Sequence, residues 1–215
     1  RGNYGRSRDF GINLSDEKEK DMIAIIDYDA GNIKSVEKAV KRYGQDVVLT
    51  RDAEVLRAAD KVILPGVGAF GDAMDKLKKY GLDTVIREVI SSGKPFLGIC
   101  LGLQLLFEES EETPGVKGLG VLKGKIVRIP EAGLKVPHIG WNSLKFEKET
   151  PLFNGLSDGA YVYFVHSYYL KAEEDIVIAS TEYATHIHAA VAKDNVFACQ
   201  FHPEKSSEVG LRILE

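Results

Sequence analysis

Pro95-Phe96-Leu97-Gly98-Ile99-Cys100-Leu101-Gly102 opens as a short apolar run and closes in a glycine turn, and its reading decides the fold. Phe96 to Ile99 has no polar face, which fits a parallel strand covered on both sides. The stretch Leu101 to Glu109 is predicted to be a helix that starts directly after Cys100. Gly98-Ile99-Cys100-Leu101-Gly102 then reads as a Gly-x-nucleophile-x-Gly elbow between strand and helix. The glycines two before and two after the cysteine avoid steric clash in so tight a turn. Such an elbow lifts Cys100 above the carboxyl end of the sheet, at a helix N-terminus whose dipole favours thiolate over thiol. It also places the backbone N–H of Leu101 to donate to an oxyanion. An isolated cysteine is more often a buried core residue. The glycines and the strand-to-helix setting turn the reading here to a catalytic nucleophile, whereas Cys199, inside an apolar strand, is read as structural.

Upstream, strands and helices alternate. Ile23 to Asp27 is a strand, Asp29-Ala30-Gly31-Asn32 a turn, and Ile33, Val36, Val40 and Tyr43 mark a helical face that Gly44 ends. Asp46 to Thr50 and Lys61 to Leu64 are further strands, followed by helices through Met74 and Leu77 and through Val85 and Val89. This alternation predicts an α/β domain with a mostly parallel central sheet and helices on both faces. The second half is richer in strand: Val121 to Ile129, Asn142 to Phe146, Tyr161 to Tyr168, Ile176 to Thr181, Ala189 to Ala192 and Val196 to Phe201, with a closing helix from Ser206. Residues 1–20 are charged and lack an apolar period; they are expected to be a flexible extension or leader, with one domain over residues 21–215.

Phe201-His202-Pro203-Glu204 follows the last strand. Residues two apart in an extended segment point the same way, so His202 and Glu204 are expected to face one pocket, with Pro203 stiffening the link. A thiol needs a base, and the imidazole needs a carboxylate to hold its tautomer. A capping histidine beside a solvated glutamate is the plainer reading of the pair taken alone. The elbow shifts the balance to a Cys100, His202, Glu204 triad, since triads are defined by geometry and not chain order.

Gly66-Val67-Gly68-Ala69-Phe70-Gly71 matches the dinucleotide-binding pattern but follows the third strand rather than the first, and Glu88 falls inside a helix rather than at a strand end. A second use fits better: a glycine loop beside the elbow, with Val67 and Gly68 turning a backbone N–H toward an oxyanion. His186-x-His188 lacks a third ligand nearby, so no metal is expected. His138 and His166 are assigned to structure or substrate positioning.

The chain has 215 residues, of which 44% are hydrophobic, and a net charge of −4. That balance suits a globular domain and argues against a nucleic-acid binder, which carries a basic surface. No apolar run reaches the roughly 20 residues that span a bilayer. Two cysteines in separate motifs are too few for a disulfide framework, so a reducing, cytoplasmic setting is expected.

Taken together, Pro65-Gly66-Val67-Gly68, the Cys100 elbow with Gln104 one turn on, and His202-Pro203-Glu204 resemble the class I glutamine amidotransferases. Four stretches are similar, more narrowly, to the glutaminase subunits of imidazole glycerol phosphate synthases: Asp27 to Ile33, Glu108 to Gly118, Pro137 to Asn142 and Tyr163 to Tyr168. The resemblance runs from Met22 to the end. It implies a flavodoxin-like fold, and glutamine binding by Gly68, Gln104, Glu112, His166, Ser167 and Tyr168. It implies a heterodimer with a barrel-type synthase (cyclase) subunit that receives ammonia, with Asn32, Trp141, Tyr163 and Lys205 at the partner interface or ammonia path. The products implied are imidazole glycerol phosphate and an aminoimidazole carboxamide ribotide, in histidine biosynthesis, with no cofactor. Two other readings stand beside it: a glutaminase serving pyridoxal phosphate, anthranilate or guanylate synthesis, and a non-catalytic module whose Cys100 senses oxidants.

Overall fold

The computed structural model describes residues 21–215; the extension expected at residues 1–20 lies outside the described residues. The first half alternates as the apolar runs demand: β1 (Met22–Ile26), α1 (Ile33–Lys41), β2 (Asp46–Thr50), α2 (Ala53–Ala58), β3 (Lys61–Leu64), α3 (Phe70–Lys79), α4 (Leu82–Ser91), β4 (Phe96–Ile99) and α5 (Leu101–Leu105). The second half holds β5 (Glu109–Ser110), β6 (Gly124–Arg128), β7 (His138–Ser143), β8 (Lys145–Phe146), β9 (Tyr161–His166), β10 (Tyr168–Ala172), β11 (Val177–Tyr183), β12 (Thr185–Lys193), β13 (Val196–Cys199) and α6 (Ser207–Leu214). Short 3-10 turns lie at Pro151–Phe153 and Pro203–Lys205.

The main sheet runs β2-β1-β3-β4-β13-β12-β10-β6-β5. Its first five strands are parallel, the pairing is antiparallel from β13 through β12 and β10 to β6, and the short edge strand β5 pairs parallel with β6. Each parallel strand feeds both faces, because successive side chains alternate. Ala24 and Ile26 of β1 join the core under α2, α3 and α4, while Ile23 and Ile25 join the core that Ile33, Val36 and Val40 of α1 and Ile213 of α6 complete. Full burial of such aliphatic side chains contributes about 1.5–3 kcal/mol each. Local signals agree with the packing. Asp52 caps α2 by accepting from the N–H groups of Glu54 and Val55, and Gly44, at φ 70°, takes the left-handed turn after α1.

The second half departs from the expected boundaries in several places. α5 ends at Leu105, not Glu109. The carbonyls that would start its next turns are taken by a returning segment: Leu119 donates to Leu105, Val121 and Leu122 to Leu106, and Gly120 to Phe107. The strand expected over residues 121–129 is confined to Gly124–Arg128, because Gly120 and Gly124 hold positive φ and turn the chain between them. The strand placed at 142–146 starts earlier, at His138, where it pairs with β9; Gly140 inside it hid the two-residue period. The run 161–168 is not one strand. It breaks at Ser167, where the chain leaves a two-stranded ribbon, β7-β9, and enters the main sheet as β10. Residues 189–192 form only the centre of β12, and β13 stops at Cys199 rather than Phe201.

Candidate active site

The carboxyl ends of β1, β3, β4 and β13 point to one edge of the sheet, and the functional side chains issue from the loops that follow them. This is where parallel sheets of this kind place their ligands. Cys100 leaves β4 with φ 54° and ψ −109°, a conformation that L residues resist. Holding a residue there costs on the order of 1–3 kcal/mol and persists only when the surroundings enforce it. They do. Cys100 N–H donates to Cys199 O of β13 at 2.8 Å, while the next helix lies so close to β3 that a Cβ on Gly102 would sit 1.9 Å from Leu64 O. Gly98 is under the same constraint: its Cβ would meet Gly102 O at 2.9 Å. The elbow expected from the sequence is therefore present as a geometric necessity.

His202 and Glu204 meet, with Nδ1 2.8 Å from Glu204 Oε1 and both side chains almost wholly buried. The route differs from the extended link expected. His202 itself is extended, but Pro203–Lys205 is a 3-10 turn that brings the carboxylate back under the ring. The backbone there is pinned from both sides: His202 N–H donates to Tyr163 O, and Ser206 Oγ donates to His202 O while accepting from Tyr163 N–H. Among the described residues no hydrogen-bond partner meets the buried His202 Nε2, and Cys100 is near enough to act on the ring electrostatically. Burial disfavours the imidazolium, but the interactions with Cys100 and Glu204 outweigh it and raise the ring to about 10.

Beside Cys100 lies an open pocket whose wall includes each residue expected to bind substrate: Gly68, Gln104, Glu112, His166, Ser167 and Tyr168. Val67 and Leu101, expected at the oxyanion hole, line it as well. The family model described as glutamine amidotransferase class-I matches residues 24–215. The chain belongs to the class I glutamine amidotransferases. It is 51% identical over 194 residues to imidazole glycerol phosphate synthase subunit HisH of Methanocaldococcus jannaschii, across 90% of this chain and 97% of that one. It is 54% identical over 195 residues to the subunit of the same name from Caldanaerobacter subterraneus subsp. tengcongensis, across 90% and 96%. Among solved structures it is similar to PurLQS from Thermotoga maritima, with a TM-score of 0.72 and 22% identity over 90% of this chain and 95% of that one; this likeness bears on the fold.

Several details of this amidotransferase were not legible beforehand. Leu101 N–H is not free: it donates to Gly66 O at 3.3 Å, so the amide expected to face an oxyanion is joined to the glycine loop itself. Asn32, expected at the partner interface, donates from Nδ2 to Glu204 Oε1 at 2.9 Å and so also holds the buried carboxylate. Its left-handed φ of 66° at the start of α1 aims it there. Glu112 accepts from Phe70 N–H at the first turn of α3, tying the pocket wall to the loop that bears Val67 and Gly68. Tyr28 and Gln200 escaped the sequence reading altogether. Tyr28 donates to Pro65 O and stands 2.2 Å from where a Gly66 Cβ would be, which explains the glycine. No spacing signal marks either residue: Tyr28 directly follows the apolar run of β1, and Gln200 lies inside the run 196–201 expected to be a strand.

The ribbon β7-β9 presents an apolar outer face. Ile139, Trp141 and Tyr161 are about half exposed or more, at 56%, 50% and 59%, and Trp141 meets Tyr163 edge to face. Lys205 is exposed. Among the described residues, no group of three His, Cys, Asp or Glu side chains is placed to hold a metal, and no helix is long and apolar enough to cross a membrane.

On the inner face of the ribbon, His138 lies between the rings of Phe164 and Tyr183 and bonds through Nδ1 to His166 Nε2 at 3.1 Å. Burial lowers His138 to about 4 and His166 to about 3. In the unfolded chain both would titrate near 6.5. As pH falls below that value the unfolded state takes up protons that the folded state refuses, so stability is lost on acidification from about 6.5 to about 4. His202 acts with the opposite sign: its contribution is complete below about 6.5 and is lost as pH rises through about 10. The thermal midpoint is expected to fall between pH 7 and pH 5, and His138→Gln is expected to make that acid slope shallower. Parallel slopes for parent and variant in a pH series of calorimetric scans would refute the assignment.

Proposed function

We propose that this amidotransferase is the glutaminase subunit of an imidazole glycerol phosphate synthase, with Cys100 as nucleophile, His202 as base and Glu204 orienting the ring. The observation that carries the reading is the strained Cys100 elbow beside a buried His202–Glu204 pair at the foot of the pocket. The shared name of relatives more than 50% identical supports the pathway. Cys100 Sγ attacks the carboxamide carbon of glutamine, and the C–N bond breaks as His202 hands its proton to the departing ammonia. Water then attacks the thioester, His202 takes its proton, and the C–S bond breaks to free glutamate and restore the thiolate. Val67, Gly68 and Leu101 supply the oxyanion donors, and Gly68, Gln104, Glu112, His166, Ser167 and Tyr168 hold the substrate.

Ammonia passes to a barrel-type synthase subunit docked on the face that carries Asn32, Trp141, Tyr163 and Lys205. The exposed apolar ribbon supports that placement, because large contiguous apolar patches mark interaction surfaces. The engagement of Leu101 N–H by Gly66 O supports a latent free subunit whose glycine loop must move before the amide can serve the reaction. Glutamate release is expected to be slow for the chain alone and faster with a ligand-loaded synthase subunit. Equal rates with and without it would end the latency idea.

Lys205 follows the proposed triad carboxylate and is exposed, in the 3-10 turn beside the site. Lys205→Ala is expected to weaken the synthase subunit's affinity by about 1 kcal/mol, the scale of a rim charge. Titration against that subunit, followed by glutamate release, checks it; unchanged affinity together with unchanged stimulation would return Lys205 to the solvated surface.

A further inference from the structure

Gln200 directly follows β13, two residues before His202, and is fully buried. A buried amide must spend its donors and acceptor on defined partners. Its Oε1 accepts from Gln104 Nε2 at 3.0 Å, and its Nε2 lies 3.7 Å from Cys100 Sγ. We propose that Gln200 is a catalytic residue that donates an N–H to the Cys100 thiolate, its amide held in that sense by a polarised hydrogen-bond chain. The inference rests on Cys100 being the nucleophile.

The sense of the chain is set by one carbonyl. Tyr168 O can only accept, and Gln104 Nε2 donates to it at 3.1 Å. That fixes which end of the Gln104 amide is nitrogen. The same nitrogen faces Gln200, so Gln200 must present its oxygen to Gln104 and its nitrogen to the sulfur. A second branch leaves the same carbonyl. His166 Nδ1 donates to Tyr168 O at 2.9 Å, which leaves its Nε2 to accept from His138 Nδ1. His138 Nε2 is then free to accept from Asn142 Nδ2, 3.4 Å away, which also donates to Glu182 O. Both rings are held neutral by burial, so no proton uptake reverses the chain near neutral pH. Tyr168 begins β10 just past the break at Ser167, so its carbonyl is pinned where the ribbon meets the main sheet.

A donor on sulfur stabilises the thiolate over the thiol. It acts alongside the His202 ring backed by Glu204; the Tyr28 hydroxyl and the Cys199 thiol are near enough to feel Cys100 electrostatically but donate to Pro65 O and Phe201 O. Tyr28 and Cys199 are both pushed upward by burial, so they stay neutral and bring no competing charge. Removing the Gln200 donor leaves His202 as the principal support of the thiolate.

The test is iodoacetamide alkylation of Cys100 in the full chain across pH, with the modified peptide identified by mass spectrometry. Gln200→Met has similar volume and no donor. It is expected to move the rate profile to higher pH and to slow alkylation at neutral pH about tenfold, the scale of a hydrogen bond to a charged group. Gln200→Glu keeps the shape and the acceptor for Gln104 but brings a carboxylate to the sulfur, and is expected to be slower still. If the Met variant shows no cooperative thermal transition, the Glu variant decides alone. Profiles within about twofold of the parent in a folded variant would overturn the proposal, since that change is well below one charged hydrogen bond. Alkylation needs no glutaminase activity. Hydrolysis retained by Cys100→Ala would therefore overturn the nucleophile assignment separately, without touching the result for Gln200.

Discussion

Cys100→Ala is expected to lower glutamine hydrolysis by a factor on the order of 10⁵ while the assembled complex still makes product from added ammonium. The size follows from the chemistry. Without sulfur no thioester forms, and His202 with Glu204 is left to activate water against an unactivated amide. Members of such a unit lose most of the rate when one is removed, because they act together. Cys100 is almost fully buried and its backbone hydrogen bond to Cys199 O does not involve the side chain, so the elbow survives the change. In the proposed heterodimer, ammonium-driven synthesis belongs to the synthase subunit and needs only a correctly docked partner. Coupled assays with glutamine and with ammonium, run on one preparation, separate the two. Loss of both activities would mean that Cys100 is structural and that the site has been misread.

The second large effect falls on stability. Gly102→Ala places a methyl group 1.9 Å from Leu64 O and 2.9 Å from Leu64 C, both backbone atoms of the neighbouring strand. No rotamer change relieves such a contact. Either α5 or β3 must shift, and both carry the site: α5 bears Leu101 and Gln104, and β3 leads to the Val67 loop. A loss of about 3–5 kcal/mol is expected, the upper range for single substitutions. At about 2–4 °C per kcal/mol for a domain of this size, the midpoint should fall by about 6–20 °C. Gly115→Ala is the comparison. Its Cβ would meet nothing, and only the positive φ of 87° opposes it, a cost of about 1–2 kcal/mol. Thermal scans giving the two variants equal midpoints would show that the close helix–strand approach is not what the elbow glycine protects.

Much of the fold was readable because the parallel half is buried on both faces. Continuous apolar runs such as Ile23–Ile26 and Phe96–Ile99 have few other uses in a globular chain, and glycines end the elements between them. The antiparallel half was less legible. Gly140 interrupts the period of β7, and the break at Ser167 has no punctuating residue, since serine fits strand and turn alike. The short α5 followed from a returning segment whose amides take its carbonyls, a long-range event that no local pattern announces. The same division runs through the site. Cys100, His202 and Glu204 sit in compact motifs, whereas Asn32 reaches Glu204 across 172 residues of chain and Gln200 reaches Cys100 across 100.

By itself the sequence determined the parallel alternation, the family, the elbow at Cys100 and the pairing of His202 with Glu204, because each depends on residues within a few positions of one another. Only the tertiary structure decided what those residues are held by. The Leu101 amide is taken by Gly66 O, the Glu204 carboxylate is shared between His202 and Asn32, and the Gln200 amide is turned toward sulfur by the Tyr168 carbonyl. The physical reason is that a hydrogen bond's partner and direction are set by where the strands bring distant backbone together, and side-chain type alone leaves both choices open.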